Sequence, residues 1–282
     1  MKKLKLIALT LTMVLASLFI FACSNNNVAK NEETEANASS NQMKKFVVGF
    51  DAEYPPYGYL SDNGKEYVGF DLDLAKEFCR RNNYEFVPQP IDWDSKDLEL
   101  NSGNIDCIWN GFTYTGREND YTWTIPYVDN SIVLIVNADS DINTKADLAG
   151  KVVIAQAASS AVDALMDDEN KTFTDSFKSL EQCADYNTAF MNLESGIVDC
   201  IAVDIGVAMF HLNNDATRFR QLAEKVSTEQ YAIGFKKGNT ELRDQVENTL
   251  SDMWKDGTFM NIANKYVDYA LPAMVCIGNY VK

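Results

Sequence analysis

Apolar and polar positions along the chain repeat with two periods, and the two kinds of segment alternate. Short apolar runs predict strands, and longer segments with apolar positions three or four residues apart predict helices. The predicted strands are 45–50, 84–90, 105–110, 131–136, 152–155, about 176–179, 197–203 and 231–235. The predicted helices are 71–83, 95–102, one from about 160, 185–194, 240–254 and 258–267. This alternation predicts parallel sheets that are covered by helices.

Two of these segments carry additional signals. Asp71 is expected to cap the helix that begins there and that ends near Asn82-Asn83. The run SIVLIV (131–136) is continuously apolar, which is typical of a strand that is buried on both faces.

One supersecondary unit occurs twice. The segment LNSGNIDCI (100–108) recurs as LESGIVDCI (193–201), at a spacing of 93 residues. Each copy predicts the end of a helix followed by a buried strand. The Ser-Gly pair between them would terminate the helix, because glycine suits the left-handed C-cap conformation. Two copies predict two lobes that are built alike. In open sheets of this kind ligands bind beyond the carboxyl ends of the strands, so the residues that follow each copy are candidates for a binding site.

The N-terminus has the pattern of a secretory signal. Three lysines among the first five residues precede Leu6 to Phe21, a run that is apolar apart from Thr and Ser. This run is shorter than the roughly 20 residues of a membrane span. It ends in Ile-Phe-Ala-Cys23, which resembles the bacterial lipobox, so cleavage is expected to remove residues 1–22 and leave Cys23 to receive a diacylglycerol. The alternative is an ordinary signal peptide with a Cys present by chance.

The lipidated Cys23 and the residues up to 44 are expected to form a disordered tether. Residues 24–43 have no aromatic residue and almost nothing to bury, so they cannot offset their own ordering entropy. Such a tether reaches roughly 25 Å. The folded part is then expected to be a monomer, anchored by lipid to the outer face of the cell membrane or placed in a periplasm.

The composition is that of a globular protein with an acidic surface. Hydrophobic residues make up 46% of the 282 residues, and the formal net charge is −16. This charge disfavours nucleic acid or an anionic membrane surface as partner, because both require clustered Lys and Arg. The five cysteines beyond Cys23 are an odd number without CxxC spacing, which argues against a disulfide framework and a zinc site. No metal or cofactor is expected.

The segment after the first copy suits the carboxylate of a free amino acid. Arg117 has a planar fork that pairs with carboxylates in a bidentate way. Gly111 is expected to offer an exposed backbone N–H, and Thr113 offers a hydroxyl. The turn 157–160 precedes a helix, and its N–H groups would hold the same carboxylate.

Other residues suit the remaining parts of an amino acid, although each also has a simpler explanation. Asp204, just past the second copy, suits the ammonium group but would also serve as a helix N-cap. Tyr54 would stack on the ligand, yet Tyr54 and Trp93 would equally fit a plain core. Arg117 taken alone would fit a solvated surface.

Several segments, taken together and in this order, resemble the family 3 solute-binding proteins, the polar amino-acid receptors of ABC importers. The resemblance covers about residues 45–268. The segments that carry it are VVGFDAEYPPYGY (47–59), YVGFDLDLAKEF (67–78), SGNIDCIWNGFTYTGR (102–117), GKVVIAQAASS (150–160), SGIVDCIAVD (195–204) and YAIGFKKGN (231–239) with MWKDGT (253–258).

The resemblance implies a two-lobed Venus-flytrap fold, the type II fold of periplasmic binding proteins. Each lobe would be a mainly parallel sheet flanked by helices. Residues 45–135 and 230–268 would form one lobe and residues 136–229 the other, with 269–282 as a C-terminal extension. The lobes would close over the ligand by hinge bending.

The resemblance also implies a ligand site between the lobes. Arg117 and the Ser159-Ser160 turn would take the carboxylate, and Asp204 with Gly111 or Thr113 the ammonium. The matched positions are Asp51, Tyr54, Trp93, Asn110, Gly111, Thr113 and Arg117 from one lobe and Gln156, Ser159, Ser160 and Asp204 from the other.

The sequence departs from the family pattern at two of these places. The family often has one more residue between the Thr and the Arg of the segment 115–117, and it usually has Gly where this chain has Ala158 before the two serines. For the ligand side chain, Glu53, Asp94, Trp93 and Trp109 are the candidate pocket residues. Two acids beside aromatic rings suit a polar or basic side chain through charge pairing and cation–π contact. The alternative is that Glu53 and Asp94 face solvent.

The expected function is therefore that of a lipoprotein that captures a free, polar or basic L-amino acid and delivers it to the permease of an ABC importer. A dehydratase acting on small carboxylates and a ligand-sensing domain are alternatives on the same fold. An enzyme is not expected, because His211 is the only histidine and motifs such as GxSxG and HExxH are absent from the sequence. A sensor usually carries a second membrane segment, and none is expected after residue 22.

Overall fold

Two five-stranded sheets form the centres of two lobes. The computed structural model describes residues 43–61, 63–215 and 217–281. The predicted signal peptide, the predicted lipidation site Cys23 and the predicted tether lie outside the described residues, except for the last two residues of the 23–44 segment. Within the described ranges, no helix combines the length and the apolar character that crossing a membrane requires.

The elements follow one another as the alternation of patterns predicts. The strands are β1 (Lys44–Phe50), β2 (Glu53–Tyr54), β3 (Gly58–Leu60), β4 (Tyr67–Val68), β5 (Tyr84–Pro90), β6 (Cys107–Ile108), β7 (Thr122–Trp123), β8 (Val128–Asn137), β9 (Val152–Gln156), β10 (Ser179–Cys183), β11 (Cys200–Asp204), β12 (Phe219–Tyr231) and β13 (Gly234–Phe235). The α-helices are α1 (Phe70–Asn82), α2 (Lys96–Ser102), α3 (Ser160–Met166), α4 (Lys171–Thr174), α5 (Tyr186–Glu194), α6 (Ile205–Asn214), α7 (Thr240–Lys255), α8 (Thr258–Ala263) and α9 (Leu271–Met274). Short 3-10 helices span Trp93–Ser95, Lys145–Leu148, Asn264–Tyr269 and Ile277–Asn279.

The two sheets have the same plan. The strand order is β5-β1-β6-β13-β7 in the first and β10-β9-β11-β8-β12 in the second. In each sheet the first three strands are parallel, and the last two are joined antiparallel. The α/β fold with parallel-containing sheets is thus confirmed, and each sheet adds an antiparallel pair.

The repeated sequence unit occupies the same place in both sheets. Its strands, β6 and β11, are each third in strand order and parallel to their neighbour. The glycines at the two stops, Gly103 and Gly196, have φ of +81° and +73°, the left-handed conformation expected after a helix end. The repeat therefore predicted a real duplication of local structure.

Some boundaries differ from the sequence predictions. Gly69 is the N-cap of α1, and Asp71 lies inside the first turn with its carboxylate turned into the protein. The strand expected near 176–179 is β10 (Ser179–Cys183), because a turn of α4 occupies the preceding residues. The small sheet of β2, β3 and β4, and the long strand β12, were not predicted.

Strand β8 shows why the chain folds into layers. Every residue from Ile132 to Val136 is fully buried, as the continuous apolar run predicts. Alternate side chains point to opposite faces of the sheet. Ile132, Leu134 and Val136 therefore join one hydrophobic cluster, and Val133 and Ile135 join another.

The C-terminal extension packs where the chain crosses between the lobes. The N–H of Cys276 donates to the carbonyl of Tyr127 at 3.0 Å, and Val275 forms a β-bridge with Val128. Ile277 is fully buried. Tyr280 donates its hydroxyl to Gln230 at 3.0 Å. The extension thus contacts both β8 and β12.

Replacing Ile277 with Ala is expected to lower the free energy of unfolding by about 2–4 kcal/mol, because it leaves a cavity in a packed site. Chemical denaturation monitored by circular dichroism measures this change. Ile197→Ala is the matched control, since the Ile197 side chain is 67% exposed, and it should change stability by less than about 0.5 kcal/mol. Equal losses from both substitutions would contradict a packed role for the extension.

Candidate functional site

A small cavity lies between the two lobes. Its walls come from loops and strand ends at the carboxyl edge of both sheets, as open α/β sheets favour. Residues 110–117 follow β6, Gln156 ends β9, and Asp204 ends β11. The cavity is lined by Tyr54, Trp93, Asn110, Gly111, Thr113, Arg117, Gln156, Ser159, Ser160 and Asp204.

The loop after β6 is held by hydrogen bonds to Asp51 and Asp71 of the same lobe. Asn110 accepts a bond from the N–H of Asp51 at 3.0 Å, and its own side-chain nitrogen is buried without a partner among the described residues. Gly111 has φ of +55°, and its N–H donates to Asp71 at 2.5 Å. The exposed Gly111 N–H expected from the sequence is therefore a wrong prediction, because Asp71 takes this hydrogen bond.

Asp71 is fully buried beneath this loop. It also accepts from the hydroxyl of Tyr127 at 2.8 Å. Burial raises the pKa of its carboxyl to about 7, although the bonds from Gly111 and Tyr127 oppose the shift. Asp71 thus supports the loop from below.

Arg117 reaches from the first lobe to the second. Its side chain is only 13% exposed, and its guanidinium lies 2.6 Å from Asp163 of α3. The guanidinium carbon also sits 5.5 Å from the centre of the Phe112 ring. The N–H of Arg117 closes a turn onto the carbonyl of Tyr114, and Gly116 within that turn has φ of +83°. This turn accommodates the short Thr-Gly-Arg spacing.

The turn before α3 has an unusual backbone. Ala158 adopts φ of +56°, a conformation that favours glycine, at the position where the family pattern has Gly. Its carbonyl oxygen lies 3.5 Å from a nitrogen of Arg117 and 3.5 Å from the amine of Lys96. Ser159 caps α3 by accepting the N–H of Val162.

Two buried carboxylates lie close together at the cavity: Asp204 is part of its lining, and Glu229 is bonded to the lining residues Thr113 and Ser160. Asn130 lies directly opposite Glu229 in the β8–β12 pair. The side-chain nitrogen of Asn130 donates to Asp204 at 2.6 Å and to Glu229 at 2.8 Å. Asp204 also accepts from the hydroxyl of Tyr231 at 2.5 Å. Asp204 is the N-cap residue of α6 by position, but its side chain makes no capping bond.

Two aromatic rings form a wall of the cavity. Tyr54 and Trp93 are stacked, with ring centres 6.5 Å apart and planes 5° from parallel. The Tyr54 hydroxyl lies 3.3 Å from that of Tyr231. Tyr54 and Trp93 therefore belong both to the packed interior and to the lining of the cavity.

Asp51 and Glu53 line an adjoining groove rather than the cavity itself. Asp51 accepts from Gln156 of the other lobe at 2.5 Å, and Glu53 contacts Asn187. Burial raises the pKa of Asp51 to about 6. No Lys or Arg is among the described residues of this groove, whose acidic lining consists of Asp51, Glu53, Asp92, Asp94, Glu99 and Asp185.

Comparison with known proteins gives one consistent family. Residues 46–269 match the model of the bacterial extracellular solute-binding proteins, family 3. The chain belongs to this family.

The relatives of this solute-binding protein are receptors for amino acids. It is 26% identical to the L-cystine-binding protein TcyA of Bacillus subtilis (strain 168), over 94% of this chain and 97% of that protein. It is 29% identical to ABC transporter arginine-binding protein 1 of Escherichia coli (strain K12), over 79% of this chain and 90% of that protein. A crystal structure of an ABC uptake transporter substrate binding protein from Streptococcus pneumoniae with bound histidine superposes with a TM-score of 0.75 at 30% identity, covering 79% of this chain and 92% of that one.

Sequence reasoning missed several polar residues of the solute-binding protein's cleft. Glu229 and Asn130 lie in the two crossing strands, and Lys96 is buried with its amine 5.5 Å from the centre of the Trp93 ring. The available signal was a polar residue at the edge of an apolar run: Asn130 directly precedes SIVLIV, and Glu229 closely precedes YAIGF. Trp109, a candidate for the ligand side chain, is fully buried and does not line the cavity.

Replacing Ala158 with Gly is expected to stabilise the protein by about 0.5–1 kcal/mol, because it relieves a left-handed alanine. Ala157→Gly in the same turn is the control. It should destabilise by about 0.4–1 kcal/mol, since Ala157 is not in the positive-φ region. Thermal unfolding of the two variants distinguishes these outcomes, and a shift of the same sign in both would contradict the interpretation.

The ligand-free protein is expected to be more stable at pH 5.5 than at pH 8. The pKa of Asp71 is about 7 in the folded state and about 3.9 when unfolded, so its contribution is full below about pH 4 and is lost as pH rises through about 7. Asp51 and Glu229 act in the same direction.

Thermal unfolding across this range provides the measurement. Glu77, whose pKa is lowered to about 2, has completed its titration below the range and does not oppose the trend. His211, whose pKa burial lowers to about 4, opposes the trend between pH 5.5 and about 6.5, but it is one group against three buried carboxyls. Asp71→Asn should flatten the pH dependence. A melting temperature that rises from pH 5.5 to pH 8 would show that the buried carboxyls do not control stability.

Proposed function

We propose that this solute-binding protein captures a free L-amino acid with a polar or basic side chain and passes it to the permease of an ABC importer. The observation that carries the proposal is the arrangement of opposite charges along one small cavity. Arg117 supplies a cation and Asp204 a carboxylate in the lining of the cavity, and the buried carboxylate of Glu229 is hydrogen-bonded to the lining residues Thr113 and Ser160. A free amino acid carries the complementary carboxylate and ammonium.

Arg117 is the proposed partner of the ligand carboxylate. Its guanidinium already binds a carboxylate, that of Asp163, whose side chain is 63% exposed. A bidentate bond to a ligand inside the cleft would be better shielded from water than this pair. In this proposal Asp163 competes with the ligand carboxylate for Arg117, and the ligand displaces it.

A basic side chain is favoured by the groove beside Trp93. The groove adjoins the cavity and is lined by six carboxylates, with no Lys or Arg among its described residues. A guanidinium or ammonium group there would be attracted by these charges and by the faces of the aromatic rings. Relatives named as arginine-binding and histidine-binding proteins support this preference.

Closure of the lobes is the proposed means of capture. The side-chain contacts that already join the lobes include Gln156 with Asp51, Asn187 with Glu53, and Arg117 with Asp163. A ligand that contacts both lobes shifts the population toward such a closed form. The closed surface would then dock on the permease, with Cys23 as the lipid anchor of the protein.

A dehydratase function gains no support from the site. His211 stacks on Phe190 with ring centres 3.8 Å apart, and burial lowers its pKa to about 4. It does not line the cavity. Its environment is that of a core residue rather than of a general acid.

Isothermal titration of residues 44–282 with the twenty amino acids, ornithine and cystine tests the proposal. One-to-one binding is expected, with basic amino acids tightest. Arg117→Ala should weaken binding by about 30- to 100-fold, corresponding to the loss of a charge-assisted bond of ~2–3 kcal/mol. A folded protein that binds none of these compounds would refute the amino-acid proposal.

Asp163→Asn is the matched variant on the other side of the same ion pair. It should tighten binding by up to about fivefold, because a largely exposed pair contributes at most ~1 kcal/mol to competition for Arg117. Weaker binding in this variant would show that Asp163 holds Arg117 in place rather than competing for it.

A further inference from the structure

Glu229 receives three hydrogen bonds at one oxygen. Its Oε1 accepts from Thr113 Oγ1 at 2.7 Å, from Asn130 Nδ2 at 2.8 Å and from Ser160 Oγ at 3.0 Å. Thr113 comes from the first lobe, Ser160 from the second, and Asn130 from the crossing strand. Glu229 is therefore the point where both lobes and the crossing strands meet.

These bonds decide how two hydroxyls face the cavity. An ionised carboxylate only accepts, so Thr113 and Ser160 must direct their hydroxyl hydrogens to Glu229. Their oxygens are left with lone pairs, and both residues line the cavity. A hydroxyl held in this way can accept a bond from an ammonium group but cannot donate one to a carboxylate. The Ser159-Ser160 turn is expected from the sequence to bind the carboxylate, and the orientation of the Ser160 hydroxyl leaves that role to the backbone N–H groups of the turn.

Negative charge is concentrated around the side chain of Asn130. Asp204 and Glu229 each bond to the single side-chain nitrogen of Asn130, so the two oxygens lie within about 5.5 Å of each other. Both residues are buried. Among the described residues, no Lys or Arg forms an ion pair with either carboxylate. Two buried like charges at this separation require either a proton or a cation between them.

We propose that Glu229 is a positioning and specificity-determining residue for the ligand ammonium. In the empty site Glu229 and Asp204 hold one proton between them. The incoming ammonium replaces this proton, which leaves for solvent, and the Thr113 and Ser160 oxygens then face the ammonium as acceptors. This inference rests on the proposed function, because it needs a ligand with an ammonium group.

The surroundings of the pair favour a proton at neutral pH. Burial, and then the charge of Asp204, raises the pKa of Glu229 to about 7, and burial also raises the pKa of Asp204. The pKa values of the nearby tyrosines are raised, so these rings stay neutral. The groups around Asp204 are the four tyrosines Tyr54, Tyr57, Tyr186 and Tyr231. The charged groups in the groove beside Glu229 are Arg117, Asp163, Asp167, Glu169 and Lys225.

The charged groups in the groove are partly engaged elsewhere. Arg117 is paired with Asp163, and the amine of Lys225 bonds to Ser131 at 2.9 Å. Asp167 and Glu169 are exposed to solvent. Neither cation neutralises Glu229 by direct contact.

Titration calorimetry with L-arginine as the probe tests the proposal, or with the tightest binder of the panel if that is another L-amino acid. A proton that competes with the ammonium makes binding tighter as pH rises. Affinity should increase about tenfold from pH 6 to pH 8 for a competing group that titrates near 7. At pH 6, enthalpies measured in buffers of different ionisation enthalpy should report release of nearly one proton.

Glu229→Gln separates charge from shape. The amide keeps a carbonyl oxygen for Thr113, Ser160 and Asn130 but cannot ionise or carry the proton. The pH 8 to pH 6 affinity ratio should fall to about twofold or less, and proton release should nearly vanish. Affinity at pH 8 should drop about tenfold, which corresponds to ~1.4 kcal/mol. Glu169→Gln is the matched control, an exposed acid on the same groove, and should retain the wild-type ratio.

The outcomes separate this inference from the proposed function. Binding that is independent of pH and releases no proton in the wild-type protein overturns the inference but leaves amino-acid capture intact. Retention of the full pH dependence by a folded Glu229→Gln variant also overturns it. If that variant does not fold, proton release by the wild-type protein is the test on its own: release supports the inference and no release overturns it. Absence of binding by every amino acid at both pH values refutes the proposed function instead.

Discussion

The antiparallel pairing of β8 with β12 is the constraint on which the rest of the structure depends. These strands belong to the second sheet, and their ends at Val128 and Tyr231 lead into the first lobe. Their register places Asn130 opposite Glu229, so the two buried carboxylates that bond to Asn130 lie at the crossing between the lobes. A change in the angle between the lobes has to be absorbed near this stretch. In the proposed mechanism, recognition of an ammonium and closure of the lobes therefore involve the same residues.

The site is electrostatically incomplete without a ligand. Asp51, Asp71, Asp204 and Glu229 are all buried, and each is stabilised by hydrogen bonds from neutral donors. Neutral donors offset part of the cost of burying a charge, but they do not cancel the charge. Arg117, the cation that lines the cavity, is already paired with Asp163. A zwitterion would supply a cation for the buried acids and a carboxylate that competes with Asp163 for Arg117, which suits this cavity better than a simple cation or anion.

The sequence predicted the larger part of the fold because its signals were local. The repeat around Gly103 and Gly196 and the apolar run 131–136 each predicted what neighbouring residues do. The resemblance also named ten residues that the structure brings together around the cavity.

What remained hidden depended on contacts distant in the chain. The Gly111 N–H looked free because its acceptor, Asp71, is forty residues away. Glu229 was missed because only the strand register reveals that it faces Asn130. The pairing of Arg117 with Asp163 likewise follows from the approach of two lobes, which no local pattern contains.

The contact of the C-terminal extension with Tyr127 and Val128 affects where this protein can be truncated or fused to a relative in a chimera. The family match ends at residue 269, yet Ile277 lies in the hydrophobic core and Gly278 packs against Trp254. A chimera or a truncated protein that ends at residue 269 would lack Ile277 and the other buried residues that pack against the crossing strands. Any altered affinity in such a hybrid would then report damage to the hinge as well as the properties of the exchanged binding residues.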